Sequence, residues 1–363
     1  MHIGLIIYGN LEMLTGGWIY DRLLVAHLHE QGHTVDVISL KRRNYLRNMA
    51  DNFLPHLNRR LRQHDCRVLL EDQLIHPSLF RLNFHLKQNR RRPIVSIVHQ
   101  VLCRQPLKRY QQIFYRAIER RYFRSVDGFI FNSQTTRANV ASLIDLRQSS
   151  LVAYPGGDRL GCLASDANIA SKCRQTGPLR LIFVGNLTPN KGVLPLIAGL
   201  ARLPKKSWRL SLIGSLIMDR RYVQKVVALI DRLGVSGQVD LAGPLDGPDL
   251  IRRLAESHVL VLPFSYEGFG IACLEAMAWG LPVVGSSAGA LKEYVQDGLN
   301  GLLVAPGDLE GFAEKLFRLH SDRELLARCS AAALQTFHDR PRWHDSLEKI
   351  NSFLLSMAEK AEE

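Results

Sequence analysis

Short apolar segments recur from one end of the chain to the other, and amphipathic stretches of helical length separate them. The segments are apolar throughout, which is typical of strands that helices cover on both faces. Strands that alternate with helices form parallel sheets, so the pattern predicts two doubly wound α/β domains. The predicted strands are residues 2–8, 35–40, 68–70, 94–98, 128–131 and 151–153 in a first series, and residues 181–184, 210–213, 239–241, 259–262, 282–284 and 301–304 in a second.

The domain boundaries follow from the stretch between the two series. A chain of 363 residues is too long for one ordinary core. Residues 161–178 are small, polar and turn-forming without a period, which is typical of a linker. We therefore predict an N-terminal domain at 1–165, a linker at 166–178 and a C-terminal domain at 179–340. A final helix is predicted at 341–363, where apolar residues form one stripe after Pro341.

Composition and charge narrow the class of protein. The chain is 46% hydrophobic and 22% charged, which excludes a disordered or fibrous chain. The formal net charge is +13, and residues 1–176 hold 26 Lys and Arg against 13 Asp and Glu, whereas residues 177–363 hold 21 of each. The six cysteines form no C-x-x-C pair, and neither a signal peptide nor a membrane-spanning run is evident. We expect a cytoplasmic protein whose basic half meets an anionic partner.

Two features of the first series suggest ligand contacts, because ligands bind beyond the carboxyl ends of parallel strands. Gly16 and Gly17 follow the first strand and begin a helix, where free backbone N–H groups can bind an anion. The alternative is a flexible turn with Thr15 as the N-cap. His99 follows the strand at 94–98, and its alternative is a hydrogen-bonded core or loop residue.

A glycine-bounded turn follows the first strand of the second series. Residues 185–192 read G-N-L-T-P-N-K-G, and Lys191 near a helix start can hold a diphosphate. The lysine precedes its glycine and no Ser or Thr follows, so the spacing does not match the P-loop of nucleotidases.

The most specific motif follows the strand at 259–262. Residues 267–282 read E-G-F-G-I-A-C-L-E-A-M-A-W-G-L-P. Glu267 lies in the loop, where Gly268 and Gly270 leave backbone N–H groups open, and Glu275 lies two helical turns further on. Two such carboxylates can each bind a pair of vicinal hydroxyls, as on a sugar and a ribose. The alternative is a helix-start charge and an ordinary interior residue, but an acid inside an apolar run is costly without a partner.

One apparent metal motif is set aside. Residues 29–33 read H-E-Q-G-H, which matches the helical zinc signature H-E-x-x-H. Both histidines must share a helix face in that motif, yet Gly32 stands where the helix should stop. We expect a helix C-cap here and no metal site.

The stretch 267–282 closely resembles the E-x7-E motif of the retaining nucleotide-sugar glycosyltransferases of family 4, which have the GT-B fold. The resemblance continues to Asp308 and covers the carboxyl half strongly; upstream it includes 185–192 and, more weakly, 132–133 and 155–158. It implies two doubly wound Rossmann-like domains that face each other across a cleft. The C-terminal domain would bind the nucleotide sugar and the N-terminal domain the acceptor, and the last helix would cross back to the N-terminal domain.

The resemblance also implies roles for individual residues. Glu267 would contact the transferred sugar and Glu275 the ribose, Lys191 would neutralise the diphosphate, and His99 would approach the donor sugar. We expect Glu267, His99 and Lys191 to be catalytic. The chain departs from the family at Asn186 and Asn190, where basic residues are usual. The expected donor-binding residues are Gly16, Gly17, Asn186, Lys191, Glu267, Gly268, Phe269, Gly270 and Glu275.

We expect transfer of a hexose from a nucleotide diphosphate-sugar to a hydroxyl, with retained anomeric configuration. The nucleotide sugar would be a co-substrate, and no cofactor is expected. No D-x-D run occurs, which is consistent with metal independence. No second carboxylate is placed as a nucleophile, which favours same-face attack assisted by the leaving phosphate.

The basic half suggests where the acceptor lies. Residues 41–62 combine arginines with apolar residues at three- and four-residue spacing, which predicts a basic amphipathic helix on an anionic membrane surface. The alternative is a solvated basic face. A carbohydrate or lipid acceptor is expected, with Glu71, Asp72 and His76 after the third strand as acceptor contacts. The expected membrane contacts are Arg42, Arg43, Arg47, Arg59 and Arg60.

Two other functions stay open. A charge of +13 also suits nucleic-acid binding, although no reading module is evident and the donor motif would then have no purpose. A GT-B epimerase or phosphorylase would share the donor site and differ in needing no acceptor.

Overall fold

The computed structural model describes residues 1–12, 15–88, 92–162 and 164–361, with the side chain of Asp166 left out. The chain divides into two compact units. Unit 1 comprises Met1–Pro155 together with His344–Glu363, and unit 2 comprises Gly156–Trp343.

Unit 1 contains a six-stranded parallel sheet, which confirms the first series of predicted strands. The strand order is β2-β1-β3-β4-β5-β6. Both neighbours of β1 run parallel to it, and Ile6 pairs with Ile38 on one side and Glu71 on the other. The switch point of this sheet therefore lies between β1 and β3. The strands are β1 (His2–Tyr8), β2 (Thr34–Leu40), β3 (Val68–Asp72), β4 (Ile94–Val98), β5 (Gly128–Phe131) and β6 (Ser149–Val152).

Helices cover this sheet on both faces, because every residue of β3, β4 and β5 is buried. The first helix begins directly after Thr15, as predicted. Thr15 takes the N-cap position without a side-chain hydrogen bond. The helices are α1 (Gly16–Glu30), α2 (Tyr45–Met49), α3 (Pro55–Gln63), α4 (His76–Leu79), α5 (Leu82–Lys87), α6 (Arg109–Phe123) and α7 (Gln134–Ala141).

The single amphipathic helix predicted across 41–62 is wrong. The segment forms α2, a 3-10 turn at Ala50–Phe53, and α3. The break falls at Leu54, whose backbone is extended with ψ 111°, because Pro55 disfavours a helical residue before it. The apolar stripe is divided accordingly: Leu57 and Leu61 are buried, while Leu46 and Phe53 are exposed.

Unit 2 contains a second six-stranded parallel sheet, which confirms the second series. Its order is β12-β11-β10-β7-β8-β9, so the switch point lies between β7 and β10. Val259 and Leu260 of β10 pair with Leu181 and Ile182 of β7. The strands are β7 (Leu179–Val184), β8 (Trp208–Ile213), β9 (Val239–Gly243), β10 (Val259–Leu262), β11 (Val283–Ser286) and β12 (Gly301–Val304).

The region predicted as a linker differs from the structure. Unit 2 begins at Gly156, and α8 occupies most of 166–178. Ser165 caps this helix by accepting from Asn168 N–H, and the buried Ile169 and Cys173 fix its inner face. Two buried apolar residues are too few to produce a recognisable helical period in the sequence. The helices are α8 (Asp166–Arg174), α9 (Val193–Leu200), α10 (Arg220–Arg232), α11 (Gly247–Glu256), α12 (Ile271–Met277), α13 (Leu309–Ser321) and α14 (Arg323–His338).

The last helix, α15 (Trp343–Lys360), lies in unit 1 apart from its first residue. His33 of unit 1 lies 2.7 Å from Asn351 of this helix, and Gly128 lies against Met357.

The boundaries of the two units give a charge distribution that differs from the one calculated for the two halves of the sequence. Unit 1 holds 25 Lys and Arg against 16 Asp and Glu, or +9, and unit 2 holds 22 against 18, or +4. The surplus is therefore less one-sided than the division at residue 176 predicts.

Among the described residues, no helix is both long enough and apolar enough to cross a membrane.

Candidate functional site

The E-x7-E motif, which begins at Glu267, lies at the switch point of unit 2. The loops after β7 and β10 leave the carboxyl ends of two adjacent strands, which is where open parallel sheets bind ligands. Lys191 ends a 3-10 turn in the first loop, and Glu267 lies in the second.

Backbone contacts hold these two loops together. Ser265 N–H donates to the carbonyl of Asn190 at 3.1 Å. Gly192 has φ +71°, and a Cβ at this position would lie 2.2 Å from the carbonyl oxygen of Pro263. Only glycine tolerates both the left-handed backbone and this close approach. The first loop is thereby fixed against the second directly beside Lys191.

The central contact of the site is an ion pair between the two predicted catalytic residues of unit 2. Lys191 Nζ lies 2.8 Å from Glu267 Oε2, and the two side chains are 23% and 18% exposed. The same ammonium group lies 3.9 Å from the ring centroid of Phe264, where the face of the ring attracts a cation. The pair is partly buried, positioned from two sides and still accessible.

The backbone around Glu267 is fixed by a separate turn. Ala290 N–H donates to the carbonyl of Glu267 at 3.1 Å. Gly289 has φ +79°, and a Cβ there would lie 2.0 Å from the same carbonyl oxygen. Gly270, with φ +90°, lies beside the hydroxyl of Tyr294, which donates to the carbonyl of Phe269.

Glu275 has the partner that a buried acid requires. Its side chain is 5% exposed, and Oε1 lies 2.7 Å from Nε of Arg159. The same guanidinium binds Asp246 at 2.5 Å. Burial raises the pKa of Glu275, and the Arg159 charge and hydrogen bond oppose that rise. Glu275 is therefore an interior residue whose carboxyl group Arg159 holds in one orientation.

Asn186, the departure from the family pattern, has a structural contact. Its Oδ1 accepts from Ser215 N–H at 3.0 Å, which connects the loop after β7 to the loop after β8. A Cβ at Gly214 would lie 2.0 Å from the carbonyl of Gly185, so these loops are also in close contact.

Unit 1 brings another set of predicted residues together at the carboxyl ends of its strands. A Cβ at Gly17 would lie 3.2 Å from Cδ2 of His99, so the start of α1 lies directly against the imidazole. His99 Nε2 lies 3.2 Å from Oδ1 of Asp21, which is one turn further along α1. Tyr20 packs edge-on against the ring at 5.2 Å. Gly16, the third residue of unit 1 predicted to contact the donor, is the first residue of α1.

The carboxylates around His99 set its charge. Burial lowers the pKa of His99, but attraction by Asp21 and Asp72 outweighs burial, so the pKa is raised overall. Burial and the charge of Asp21 raise the pKa of Asp72 to about 7. Oδ2 of Asp21 is buried and has no hydrogen-bond partner among the described residues.

The described part of the chain contains two groups of side chains that have metal-ligand chemistry, and Asp21, Asp72 and His99 form one of them. One ligand atom each of Asp21, Asp72 and His99 lie within 4.8 Å of one another. The other group is His2, Asp36 and His64, which is partly exposed. The H-E-x-x-H residues are arranged differently: α1 ends at Glu30, so the two histidines do not share a helix face.

All three predicted acceptor contacts, Glu71, Asp72 and His76, lie in the interior of unit 1. Glu71 has no accessible surface and accepts from Asn83 Nδ2 at 3.0 Å. His76 is equally enclosed, and its Nε2 lies 2.9 Å from the hydroxyl of Tyr45. Burial raises the pKa of Glu71 to about 7 and lowers that of His76 to about 4. The residues follow β3 as the sequence indicates, but their side chains are enclosed in the interior, so contact between them and an acceptor stays a prediction.

The predicted membrane residues lie at the surface of unit 1. Arg42, Arg47, Arg59 and Arg60 are exposed, whereas Arg43 is half-buried and lies 2.5 Å from the buried carboxylate of Asp51. The guanidinium of Arg42 lies over the ring of Trp18, 5.6 Å from its centroid.

Several site residues were missed by sequence reasoning. Arg159 contacts Glu275 from far along the chain and is itself held by Asp246, and Asp21 contacts His99 from α1. The available signal was the cost of an isolated buried acid, which required a cation near Glu275 without identifying it.

Two family models match the chain. Residues 16–158 match the model described as Glycosyltransferase Family 4, and residues 165–336 match the model described as Glycosyl transferases group 1. The lipopolysaccharide core biosynthesis glycosyltransferase LpsE of Rhizobium meliloti is 30% identical over 215 residues, which cover 59% of this chain and 60% of that relative. An uncharacterized glycosyltransferase of Methanocaldococcus jannaschii is 33% identical over 179 residues, which cover 49% of this chain and 45% of that relative. The chain thus spans about half the length of the curated relatives that it matches.

Solved structures of similar fold cover the whole chain. Sucrose-phosphate synthase from Thermosynechococcus elongatus has a TM-score of 0.82 at 19% identity, over 98% of both chains. HepE from Anabaena in complex with UDP-glucose has a TM-score of 0.77 at 21% identity, over 98% of this chain and 100% of that one. At such low identity the likeness establishes the fold. Together with the two family matches, it shows that the chain belongs to the GT-B glycosyltransferases, with the Family 4 model in unit 1 and the group 1 model in unit 2.

Proposed function

We propose that this chain is a retaining glycosyltransferase that moves a hexose from a nucleotide diphosphate-sugar to a hydroxyl group of an acceptor. The observation that carries the proposal is the accessible Lys191–Glu267 ion pair at the switch point of unit 2. It places a cation and a hydrogen-bond acceptor side by side where the fold binds ligands.

Lys191 and Glu267 would have separate roles when a donor binds. Negative charge develops on the leaving diphosphate at the transition state, and Lys191 is the cation that stabilises it. Glu267 then exchanges its contact with Lys191 for hydroxyls of the transferred sugar. Because both side chains are fixed by neighbouring loops, little reorganisation is needed at the moment of reaction.

The ribose is assigned to Glu275. Arg159 binds Oε1 of this carboxylate and opposes the rise in its pKa that burial causes, and the carboxylate would accept hydrogen bonds from two vicinal hydroxyls. Uridine donors are the first to test, because HepE, which shares the fold, is described in complex with UDP-glucose. His99 is proposed as the catalytic contribution of unit 1, and the diphosphate is proposed to be held without a metal ion.

Transfer itself is tested with the purified full chain and a labelled donor. Glu267→Gln keeps the size of the side chain and removes its charge, so transfer should fall by at least about a hundredfold. Glu310→Gln is the matched control, because Glu310 lies exposed at a surface pair with Arg202. Unchanged turnover in the Glu267 variant would contradict the assignment. Product that forms without any acceptor would instead indicate an epimerase or phosphorylase.

Retention and metal independence have their own measurements. The anomeric configuration of the first-formed product, read by proton NMR, should equal that of the donor. Addition of a chelator should leave the rate unchanged. An inverted product or a rate lost on chelation and restored by a divalent cation would contradict these parts of the proposal.

We further propose that unit 1 holds the acceptor at an anionic membrane surface. Supporting this is an exposed apolar patch, defined as Leu46, Phe53, Tyr110, Ile113 and Phe114, of which the first four are more than 60% exposed. The ring of Tyr45 contacts that of Phe114 at 5.8 Å, which joins α2 to α6. Cations border the patch, and Arg81 lies 5.0 Å from the centroid of Phe53. Apolar side chains among arginines are typical of a surface that inserts shallowly into anionic lipid.

Vesicle sedimentation tests this surface. The chain should bind phosphatidylglycerol-containing vesicles and not phosphatidylcholine vesicles, and salt should reverse the binding. Ile113→Asp should weaken binding, whereas Ile217→Asp, at a side chain of unit 2 that is 72% exposed, should not. Equal binding to both vesicles, or equal effects of both substitutions, would contradict the proposal.

A further inference from the structure

A cavity lies in unit 2, away from Lys191 and Glu267. Its volume is about 520 Å³, within the range that holds small ligands. Its walls come from α8, the start of β7, the end of α11 and the residue two places after α12. Arg180 marks the amino end of β7, whereas Lys191 lies beyond its carboxyl end, so about 15 Å of strand separates the two sites.

Two cations line this cavity without a carboxylate partner. Among the side chains that the structure describes, no carboxylate lies within ion-pair distance of Lys172 or Arg180. Lys172 Nζ donates to the carbonyl of Trp279 at 3.4 Å. Arg180 Nε donates to the carbonyl of Glu256 at 2.5 Å, and Nη2 donates to Gln175 at 3.4 Å. Carbonyl and amide oxygens satisfy single donors but do not neutralise the charges.

The potential around the cavity is positive. Burial and the charge of Arg180 together lower the pKa of Lys172 to about 8. Burial and the charges of Arg180, Arg323 and Lys172 together lower the pKa of His258 to about 3. The carboxylate of Glu256 is the one acid in the described lining. The two cations of the lining, Lys172 and Arg180, face this single carboxylate and repel each other unless an anion joins them.

The rest of the lining is apolar and contains one unsatisfied donor. Ile169, Ala164 and Ala255 form apolar wall. Trp279 is 6% exposed, and its indole N–H has no hydrogen-bond partner among the described residues. The volume also exceeds what an inorganic anion fills, so a ligand with a body as well as a charge fits better.

We propose that this cavity is a second ligand site, which binds a small phosphorylated metabolite through Lys172 and Arg180 and packs its uncharged part against Trp279. Two cations match the dianionic charge of a phosphate monoester, and the apolar wall accommodates a compact body such as a sugar ring. The site does not depend on the proposed transfer reaction, because its residues are separate from the donor residues.

Calorimetric titration of the full chain with glucose 6-phosphate and with inorganic phosphate tests the proposal. Lys191→Met is introduced first, so that phosphate binding at the donor residues does not contribute. Glucose 6-phosphate should bind saturably. Lys172→Gln and Arg180→Gln should each weaken it by about tenfold, whereas Arg202→Gln, at an exposed arginine of the same unit that pairs with Glu310, should not. Lys172→Arg keeps the charge and should keep the binding.

The outcomes are distinct. Saturable binding that is lost in the two variants and kept in both controls supports the proposal. Absence of binding at millimolar concentrations, or equal binding in all variants, overturns it. If inorganic phosphate binds as tightly as glucose 6-phosphate, the metabolite part is overturned. If Lys172→Gln lowers the melting temperature of the chain, Lys172→Arg decides whether charge or packing was lost.

Discussion

Both units carry their site residues at the switch point of a parallel sheet, but they treat buried acids differently. Unit 2 pairs the buried Glu275 with Arg159 and the partly buried Glu267 with Lys191. Unit 1 pairs the buried Asp51 with Arg43, but it also buries Glu71, Asp72 and Glu119, which have hydrogen-bond donors and no ion pair with Lys or Arg among the described residues.

The difference has a consequence for protonation. Burial raises the pKa of Glu71, Asp72 and Glu119 to about 7 in each case. Glu119 accepts from the backbone N–H groups of Leu102 and Cys103, which hold it in place without a counter-charge. The interior of unit 1 therefore holds carboxyl groups that change protonation near neutral pH, and we expect pH to act mainly through unit 1.

The largest expected effect is at the buried pair of unit 2. Arg159→Met should destabilise the chain by about 3–5 kcal/mol, because Glu275 is left as an uncompensated buried charge. Urea denaturation measures the loss. Adding Glu275→Gln to Arg159→Met should recover much of it. Arg202→Met is the control at an exposed pair and should cost at most about 1 kcal/mol. Equal losses of stability in the two arginine variants would show that burial does not determine how much the ion pair contributes to the free energy of unfolding.

The next effect is the pH dependence of unit 1. The folded pKa of Asp72 is about 7, above its ordinary value of 3.8, so the folded state binds this proton more tightly than the unfolded state. The resulting stabilisation is complete below about pH 4 and is lost as the pH rises to 7. Asp72→Asn should reduce this loss by on the order of 2 kcal/mol. Denaturation at pH 5 and at pH 8 measures it, and an unchanged slope would contradict the raised pKa.

A smaller effect is expected at the turn that fixes Glu267. Gly289→Ala must accommodate both φ +79° and a Cβ directed at the carbonyl of Glu267. Gly298→Ala has a similar φ of +82° but open space around its Cβ. The first should therefore cost about 1 kcal/mol more than the second and should also weaken donor binding. Equal stabilities and equal donor affinities would mean that the contact does not position Glu267.

The smallest expected change is electrostatic and confined to unit 1. Asp21→Asn removes the charge that faces Nε2 of His99, so the pKa of His99 should fall. The imidazole resonances of His99 in a pH titration by NMR measure this directly, with Asp36→Asn as a control at a distant and exposed histidine pair. A pKa of His99 that is unchanged by Asp21→Asn would remove Asp21 from the account.

The sequence predicted the two sheets because buried parallel strands are apolar on both faces, a signal that is local and strong. It also predicted that Glu275 needs a partner, from the cost of an isolated buried acid. It could not identify Arg159, since that contact spans 116 positions and no local pattern encodes it.

The errors have local causes. One amphipathic period across 41–62 concealed the break at Leu54, although Pro55 signals it. Helix α8 was read as a linker because its inner face has only two buried apolar anchors. The directions of Glu71 and His76 could not be predicted, because a residue at a strand end can point to the interior or to the ligand.

Donor binding to unit 2 is the central claim, and equilibrium titration tests it most directly. Uridine, guanosine and adenosine diphosphate sugars would be titrated into the full chain by calorimetry. At least one should bind, and Glu267→Gln and Lys191→Met should each weaken it by about tenfold or more. The exposed controls Glu310→Gln and Lys205→Met should leave its affinity unchanged. Binding of none of these sugars, or equal affinity in all four variants, would contradict the account.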